Sequence, residues 1–303
     1  MAGDKHDLSY YLKCLQGGAL ACGLTHTAIV TLDLVKCQRQ VDPTLYKSLG
    51  DGISTLWRNN GFKGVTVGWL PTLIGYSLQG TAKFGFYEYF KDVYAKIAGD
   101  KAEKYKVLGF ALSSASAEVI ADILLCPFEA VKVRMQTSRY GTFPLKLAPA
   151  MNQIVANEGT NGLYKGLAPL WARQIPYTIV KFVFFEKTVE MFYRYVLTKP
   201  RSSYSKSTQL SVTFASGYIA GILCAIVSHP ADTMVSKLNN IKTEGTLKEN
   251  INKIYSDIGF QGLWRGLGTR ILMIGTLTGL QWWIYDTYKT LVGLQTSGGL
   301  SKK

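Results

Sequence analysis

Three stretches of this chain, about a hundred residues apart, are variants of one pattern, and that repetition restricts the fold more than anything else in the sequence. The fullest copy runs from Pro127-Phe128-Glu129-Ala130-Val131-Lys132 through Glu158-Gly159 and Tyr164-Lys165-Gly166 to Phe185-Glu186. A later copy keeps the order with Pro230-Ala231-Asp232, Ile258-Gly259, Trp264-Arg265-Gly266 and Tyr285-Asp286-Thr287-Tyr288-Lys289. The first copy is worn: Thr31-Leu32-Asp33-Leu34-Val35-Lys36 has no proline, Asn60-Gly61 leads only to Gly68, and Tyr87-Glu88-Tyr89-Phe90-Lys91 closes the unit. The final glycines are separated by 166 − 68 = 98 and 266 − 166 = 100 residues. That period is too long for a solenoid and suits one domain of three pseudosymmetric units, at about 10–98, 104–198 and 206–295.

The solvent of that domain follows from where charge is missing. With histidines neutral, residues 14–32, 64–82 and 207–231 carry no formal charge, and about 20 such residues cross a bilayer as a helix. Gly17, Gly18 and Gly23, then Gly217 and Gly221, put small residues where such helices approach closely. Lys and Arg exceed Asp and Glu by 34 − 20 = 14. The excess lies largely outside the apolar runs, as in 101–106 and 199–206. With no zinc-finger spacing, aromatic RNA-binding signature or basic heptad, nucleic acid is not the expected partner. Cys14, Cys22, Cys37, Cys126 and Cys224 form an odd set without a Cys-x-x-Cys, which indicates neither a disulfide framework nor a zinc site. No cofactor is expected.

Each unit reads as an apolar helix ending near the acid-base motif, a short amphipathic segment, and a second apolar helix. The expected first helices span about 10–38, 106–136 and 208–238, and the second about 69–94, 168–195 and 268–292. The expected fold is therefore an all-α membrane protein, with six transmembrane helices in three repeats around a central cavity. Pro127 and Pro230 should kink their helices by removing a backbone donor.

The elements Pro-x-(Asp/Glu)-x-x-(Lys/Arg), (Asp/Glu)-Gly-x4-(Tyr/Trp)-(Lys/Arg)-Gly and (Phe/Tyr)-(Asp/Glu)-x-x-(Lys/Arg), recurring in register from about Tyr10 to Tyr288, resemble the mitochondrial carrier family. Thr25-His26-Thr27, Gly75-Tyr76-Ser77-Leu78-Gln79-Gly80, Arg173-Gln174-Ile175-Pro176-Tyr177 and Gly275-Thr276-Leu277-Thr278 resemble its phosphate-transporting branch. The resemblance implies a monomer in the mitochondrial inner membrane, contact with anionic lipid such as cardiolipin, and two salt-bridge gates. On the matrix side it pairs Asp33 with Lys132 and Asp232 with Lys36. Glu129 there meets Val235 instead of a base, with Lys237 two residues later. Gln40 and Gln136 take the place of bracing glutamines, and Asn239 stands at that position in the third unit. On the cytoplasmic side it pairs Glu186 with Lys289 and Asp286 with Lys91, leaving Glu88 opposite Val189.

Departures from symmetry locate the chemistry. Five residues before the closing acids stand Lys83, Lys181 and Gln281; thirteen before stand Gly75, Arg173 and Met273. The two positions differ by eight residues, a little over two helical turns, so they share a face. If that face is internal, Lys83, Lys181 and Arg173 form an anion site with Gln79, Gln174, Tyr177 and Gln281 beside it, since buried cations without local acids want an anion. On the first helices, Glu118 and Asp122 are i,i+4 partners and His26 lies at the equivalent level. Ionisable groups in apolar spans are proton-relay candidates, and the family resemblance implies proton coupling at His26, Glu118 and Glu129.

The expected function is a secondary transporter moving inorganic phosphate with a proton, or against hydroxide. An enzyme is not expected: the chain has no Gly-x4-Gly-Lys-(Ser/Thr) loop, nucleophile elbow or His-Glu-x-x-His helix. The alternative cargo is copper(I), alone or besides phosphate, for which Cys22 and His26, also i,i+4, offer soft ligands.

Overall fold

A computed structural model describes residues 6–42, 44–239, 247–264 and 266–298; the side chains of 40, 231, 232, 235–239, 247, 248, 250 and 269 lie outside the description. Among the described residues the elements are α1 (Leu8–Ala28), α2 (Val30–Val41), α3 (Leu49–Val65), α4 (Trp69–Ala98), α5 (Lys106–Thr137), α6 (Leu147–Glu158), α7 (Leu167–Met191), α8 (Lys206–Asn239), α9 (Leu247–Leu263) and α10 (Leu267–Leu291). The long helices close a ring in the order α1, α4, α5, α7, α8, α10 and back to α1. Short helices α3, α6 and α9 join the long helices within each repeat, packing on α2, α5 and α8 at the end that carries the acid-base motifs.

Local chemistry sets the boundaries. Asp7 caps α1 by accepting from the Tyr10 amide at 2.8 Å, and Ser48 caps α3 by accepting from the Asp51 amide at 3.1 Å. The helical runs of α3 and α9 turn at Gly61 and Gly259, and α6 ends at Gly159, with φ of 58°, 61° and 68°. These are repeat-equivalent glycines whose extended ψ lies in a region that side chains do not tolerate, so the repeated glycine is there for backbone geometry.

The first repeat bends without its proline. α1 and α2 meet at 58°. Thr25, His26 and Thr27 each turn a side-chain polar atom to the carbonyl four residues back, a pattern that strains a helix. Thr31 then donates to the Val65 carbonyl at 2.9 Å instead of continuing the pattern. α5 and α8 run through Pro127 and Pro230 as single helices.

Polarity is arranged for lipid. Leu20, Leu24 and Leu272 are 42, 51 and 63% exposed, whereas Glu118, Asp122 and Gln281 are 0, 0 and 2% exposed. A water-soluble core would reverse that order. Among the described residues, Lys106–Thr137 and Lys206–Pro230 are each long and apolar enough to span a membrane, as is the bent pair Leu8–Ala28 with Val30–Arg39. The remaining long helices fall short of that standard because they carry interior polar side chains such as Gln79, Lys83, Lys181 and Gln281. Contact between α1 and α4 is at backbone distance: a Cβ on Gly80 would stand 2.1 Å from the Gly18 carbonyl oxygen.

Two apolar clusters bracket the ring. One packs the short helices, with Leu34, Val35, Leu56, Val131 and Ile154. The other lies toward the closing acids and is aromatic. Phe84, Phe182 and Trp282 touch one another there, with ring centroids 5.0 to 5.4 Å apart.

Candidate functional site

Between these clusters lies a layer of buried polar side chains contributed by several helices. Because α4 packs on α5, Lys83 meets Glu118, Nζ to Oε2 at 2.9 Å, and both are buried. Gln79, one turn before Lys83, donates through Nε2 to Glu118 Oε1 at 3.1 Å and to Asp122 Oδ1 at 3.2 Å. The i,i+4 spacing thus puts both carboxyls behind one amide. The expectation that the interior cations lack local acids is wrong for Lys83. An ammonium this deep needs a counter-charge, and Glu118 supplies it.

Lys181 is different. It donates to Gln281 Oε1 at 2.9 Å and faces the rings of Tyr177 and Phe182, each at 5.9 Å. Among the described residues no carboxylate lies within ion-pair distance of it. Lys83 is near enough for the two ammonium groups to repel. Arg173 is not in this buried layer: it is exposed, two turns away on α7, and within electrostatic range of Tyr76. Gln174 and Tyr177 are half-buried beside it on α7.

His26 sits on the α1 side of the layer, apart from the carboxyl pair. Its Nδ1 lies 2.9 Å from the Cys22 carbonyl, an arrangement that requires the proton on Nδ1. Gln281 Nε2, 3.4 Å away, is then a neighbour and not a donor to it. The imidazole stacks on Tyr76 at 3.8 Å, and the Lys132 ammonium lies 5.2 Å from the centre of the same ring. Tyr76 therefore joins the interior layer to the ion pairs at the acid-base end, a link that repeat counting did not find. Cys22 Sγ lies against the backbone at Gly80, and the bond from His26 to the Cys22 carbonyl uses Nδ1 alone. Among the described residues no cluster of three or more His, Cys, Asp or Glu could hold a metal.

At the acid-base end, Lys132 pairs with Asp33 and, at 3.4 Å, with Glu129 of its own helix. One lysine thus serves the acid whose base is missing. Gln136 does not brace that pair; it donates to the Val67 carbonyl at 3.3 Å, in the turn before α4. Lys36 is exposed. The side chains of Asp232, Val235, Lys237, Asn239 and Gln40 lie outside the described residues.

The closing end departs from the expected pairing. Lys91 holds Glu88 at 3.0 Å and Glu186 at 3.4 Å, while Tyr10 donates to Glu88 and Tyr87 to Glu186, at 3.1 and 3.0 Å. Asp286 is not paired with Lys91, nor Glu186 with Lys289. Instead Asp286 accepts from Thr213 and from the Ser297 amide, and Lys289 donates to Ser297 Oγ at 3.2 Å. Lys91 reaches the two nearest acids, and the chain's own end satisfies the third. The aromatic layer of Phe84, Phe182 and Trp282 was also missed. Its signal was available: each ring stands four residues before a closing acid.

A model of the family described as mitochondrial carrier protein matches residues 7–98, 103–196 and 206–295. The chain is 54% identical over 300 residues to mitochondrial phosphate carrier protein 3 of Arabidopsis thaliana, covering 98% of this chain and 78% of that one. It is 53% identical over 291 residues to a probable mitochondrial phosphate carrier protein of Schizosaccharomyces pombe, covering 95% and 93%. Solute carrier family 25 member 3 of Homo sapiens is 50% identical over 281 residues, covering 92% and 76%. A triple match across almost the whole length, on a ring of six long helices with an inward-facing polar layer, makes this chain a member of the mitochondrial carrier family.

Proposed function

We propose that this carrier imports inorganic phosphate across the mitochondrial inner membrane together with a proton, or equivalently against hydroxide. The observation that carries the reading is the buried Lys83–Glu118 pair beside Lys181, a cation with no carboxylate of its own within reach among the described residues. The relatives' names supply the cargo. Charge balance supplies the coupling. A phosphate monoanion entering this layer adds one negative charge to a poorly solvated region, which is costly unless a positive charge arrives with it. A proton taken up by Glu118 meets that need and also frees Lys83 from its carboxylate. Lys83 and Lys181 then bind the anion, with Gln281 as a hydrogen-bonding partner and Arg173 drawing phosphate in or out at the layer's edge. Gln79 holds Glu118 and Asp122 together, so the proton can be kept within the carboxyl pair. His26 and Tyr76 connect this event to Lys132, and Glu129 passes the proton toward the matrix.

Alternating access follows if the two ends open in turn. The ion pairs at Lys132 and at Lys91 form the matrix and cytoplasmic gates. Uptake of labelled phosphate by proteoliposomes, with and without an imposed pH gradient, tests the reading: uptake should follow the gradient. Phosphate uptake indifferent to it refutes the coupling, and no phosphate uptake refutes the cargo.

A further inference from the structure

We propose that the C-terminal segment Leu294–Gly298 is a working part of the cytoplasmic gate, standing in for the base that Val189 does not provide, and that Arg201 holds it there. This inference rests on the alternating-access reading, which also supplies the sidedness.

The segment is built into the ring rather than lying on it. Thr296 and Ser297 are each 4% exposed, although they lie past the end of the last helix. Asp286 is fully buried, and the Ser297 amide donates to its carboxylate at 2.8 Å while Thr213 donates at 2.7 Å from α8. Lys289 donates to Ser297 Oγ. Arg201, in the loop between α7 and α8, clasps three successive residues, reaching Thr296 Oγ1, the Ser297 carbonyl at 2.8 Å and the Gly298 carbonyl. Thr296 in turn donates to Gln209 Oε1 at 3.2 Å. The segment therefore ties α8, α10 and the α7–α8 loop to one another.

Position 189 shows why the space exists. The first repeat has Lys91 three residues after its closing acid and the third has Lys289, but the second has Val189. Gly298 lies directly on that valine, where even a Cβ would come within 2.8 Å of the Val189 side chain. A lysine there would fill the volume that the segment occupies. Because position 189 offers Glu88 no base, Lys91 is drawn to Glu88 and Glu186. The fully buried Asp286 depends on the segment's amide instead, and an acid left there without its donor is costly. Opening this end for phosphate entry separates α8 from α10, so the segment, tied to Asp286 on one side and to Gln209 and Arg201 on the other, must release one of these sets of bonds in each cycle.

Cys14, buried beneath this end beside Tyr10 and Tyr285, serves as a reporter once Cys22, Cys37, Cys126 and Cys224 are replaced by serine. The full chain in lipid nanodiscs is compared with a chain stopped after Gly293, with Arg201→Gln, and with the stopped chain carrying Val189→Lys. A membrane-impermeant maleimide should label Cys14 about tenfold faster in the stopped chain, the change expected when a charge-assisted hydrogen bond is lost. Arg201→Gln should show an intermediate rate, and Val189→Lys should restore protection to the stopped chain. Labelling of the stopped chain at the full-chain rate overturns the proposal; so does failure of Val189→Lys to protect, because the segment would then be doing something other than replacing that base. Thermal unfolding of each variant separates gate opening from general loosening, since a stopped chain that labels faster only because it is globally unfolded also counts against a gate role. The full chain alone, labelled with and without inorganic phosphate, tests the alternating-access reading separately.

Discussion

Replacing Glu118 by glutamine removes one charge from a buried ion pair. At 2.9 Å the Lys83–Glu118 attraction amounts to about 6 kcal/mol at an effective dielectric constant of 20. Desolvation of both groups offsets much of it, yet stranding one partner of a buried pair typically costs about 3–5 kcal/mol. The Gln79 hydrogen bond to that position can survive, because the glutamine oxygen still accepts. Taking about 2–4 °C per kcal/mol for a chain of this order of size, Glu118→Gln should unfold roughly 6–20 °C below the parent without substrate. Lys83, now without its carboxylate, should recover part of that loss when phosphate binds, so phosphate should raise the unfolding temperature more in the variant than in the parent. Transport should separate into its modes. Uptake driven by a pH gradient should be lost, because a carboxamide takes up no proton, while phosphate–phosphate exchange should persist at a reduced rate. Thermal shift with and without phosphate, and both flux modes in parallel liposomes, measure these outcomes. An unfolding temperature and pH response equal to the parent's would refute the reasoning, and equal loss of both flux modes would make Glu118 a binding residue with the proton carried elsewhere.

Other perturbations probe the remaining parts. Lys83→Ala should abolish phosphate uptake and also destabilise the carrier by several kcal/mol, because it leaves Glu118 and Asp122 behind without their cation; a variant as stable as the parent would show that the carboxyls are already neutral. Trp282→Ala opens a hole among Phe84, Phe182 and Phe185, worth about 3–5 kcal/mol, and should speed maleimide labelling of Cys14, which a rigid structural role alone would not do. Gly80→Leu should prevent folding or membrane accumulation, since the Gly18 backbone occupies the space; normal yield would disprove the close contact. Glu158 is held below its usual value of 4.5 by hydrogen bonds from Lys165 and Arg134 at the exposed end of α6. A depressed carboxylate stabilises above its ordinary range and loses that effect as pH falls through its folded value. Glu158→Gln should therefore lower the unfolding temperature slightly at neutral pH, with the gap closing as pH falls below the ordinary glutamate range, and a gap that persists in strong acid would place the effect in packing.

Repetition made the architecture legible because each repeat had to solve the same backbone problem at the same place. Gly61, Gly159 and Gly259 mark a turn that only glycine permits, and the acid-base triplets mark helix ends. Residue offsets within a helix also placed Lys83, Lys181 and Gln281 at one level, and they do share the buried layer. What could not be read was the pairing between helices. Whether Lys83 meets Glu118 depends on how α4 and α5 rotate against each other, and whether Lys91 takes Glu186 or Asp286 depends on how α4 sits against α7 and α10; no spacing along a single helix encodes either. At Thr31 the sequence left open whether a repeat without its proline still bends; three consecutive side-chain bonds to the backbone precede the bend that is found there.

The two ends deal with their missing bases in different ways, and the difference bears on which end is harder to open. At the acid-base end one lysine, Lys132, is shared between Asp33 and Glu129, so a single cation must be moved to break two links. Sharing weakens each link, since the acids compete for one ammonium and repel one another. At the closing end Lys91 is shared in the same way, but Asp286 has its own set of donors from Thr213 and Ser297, and a three-ring aromatic layer lies beneath. Opening that end therefore requires separating rings and withdrawing a backbone amide as well as breaking an ion pair. The arrangement favours rest with the closing end shut, and admitting phosphate through it requires contacts made only in the open state to offset that difference.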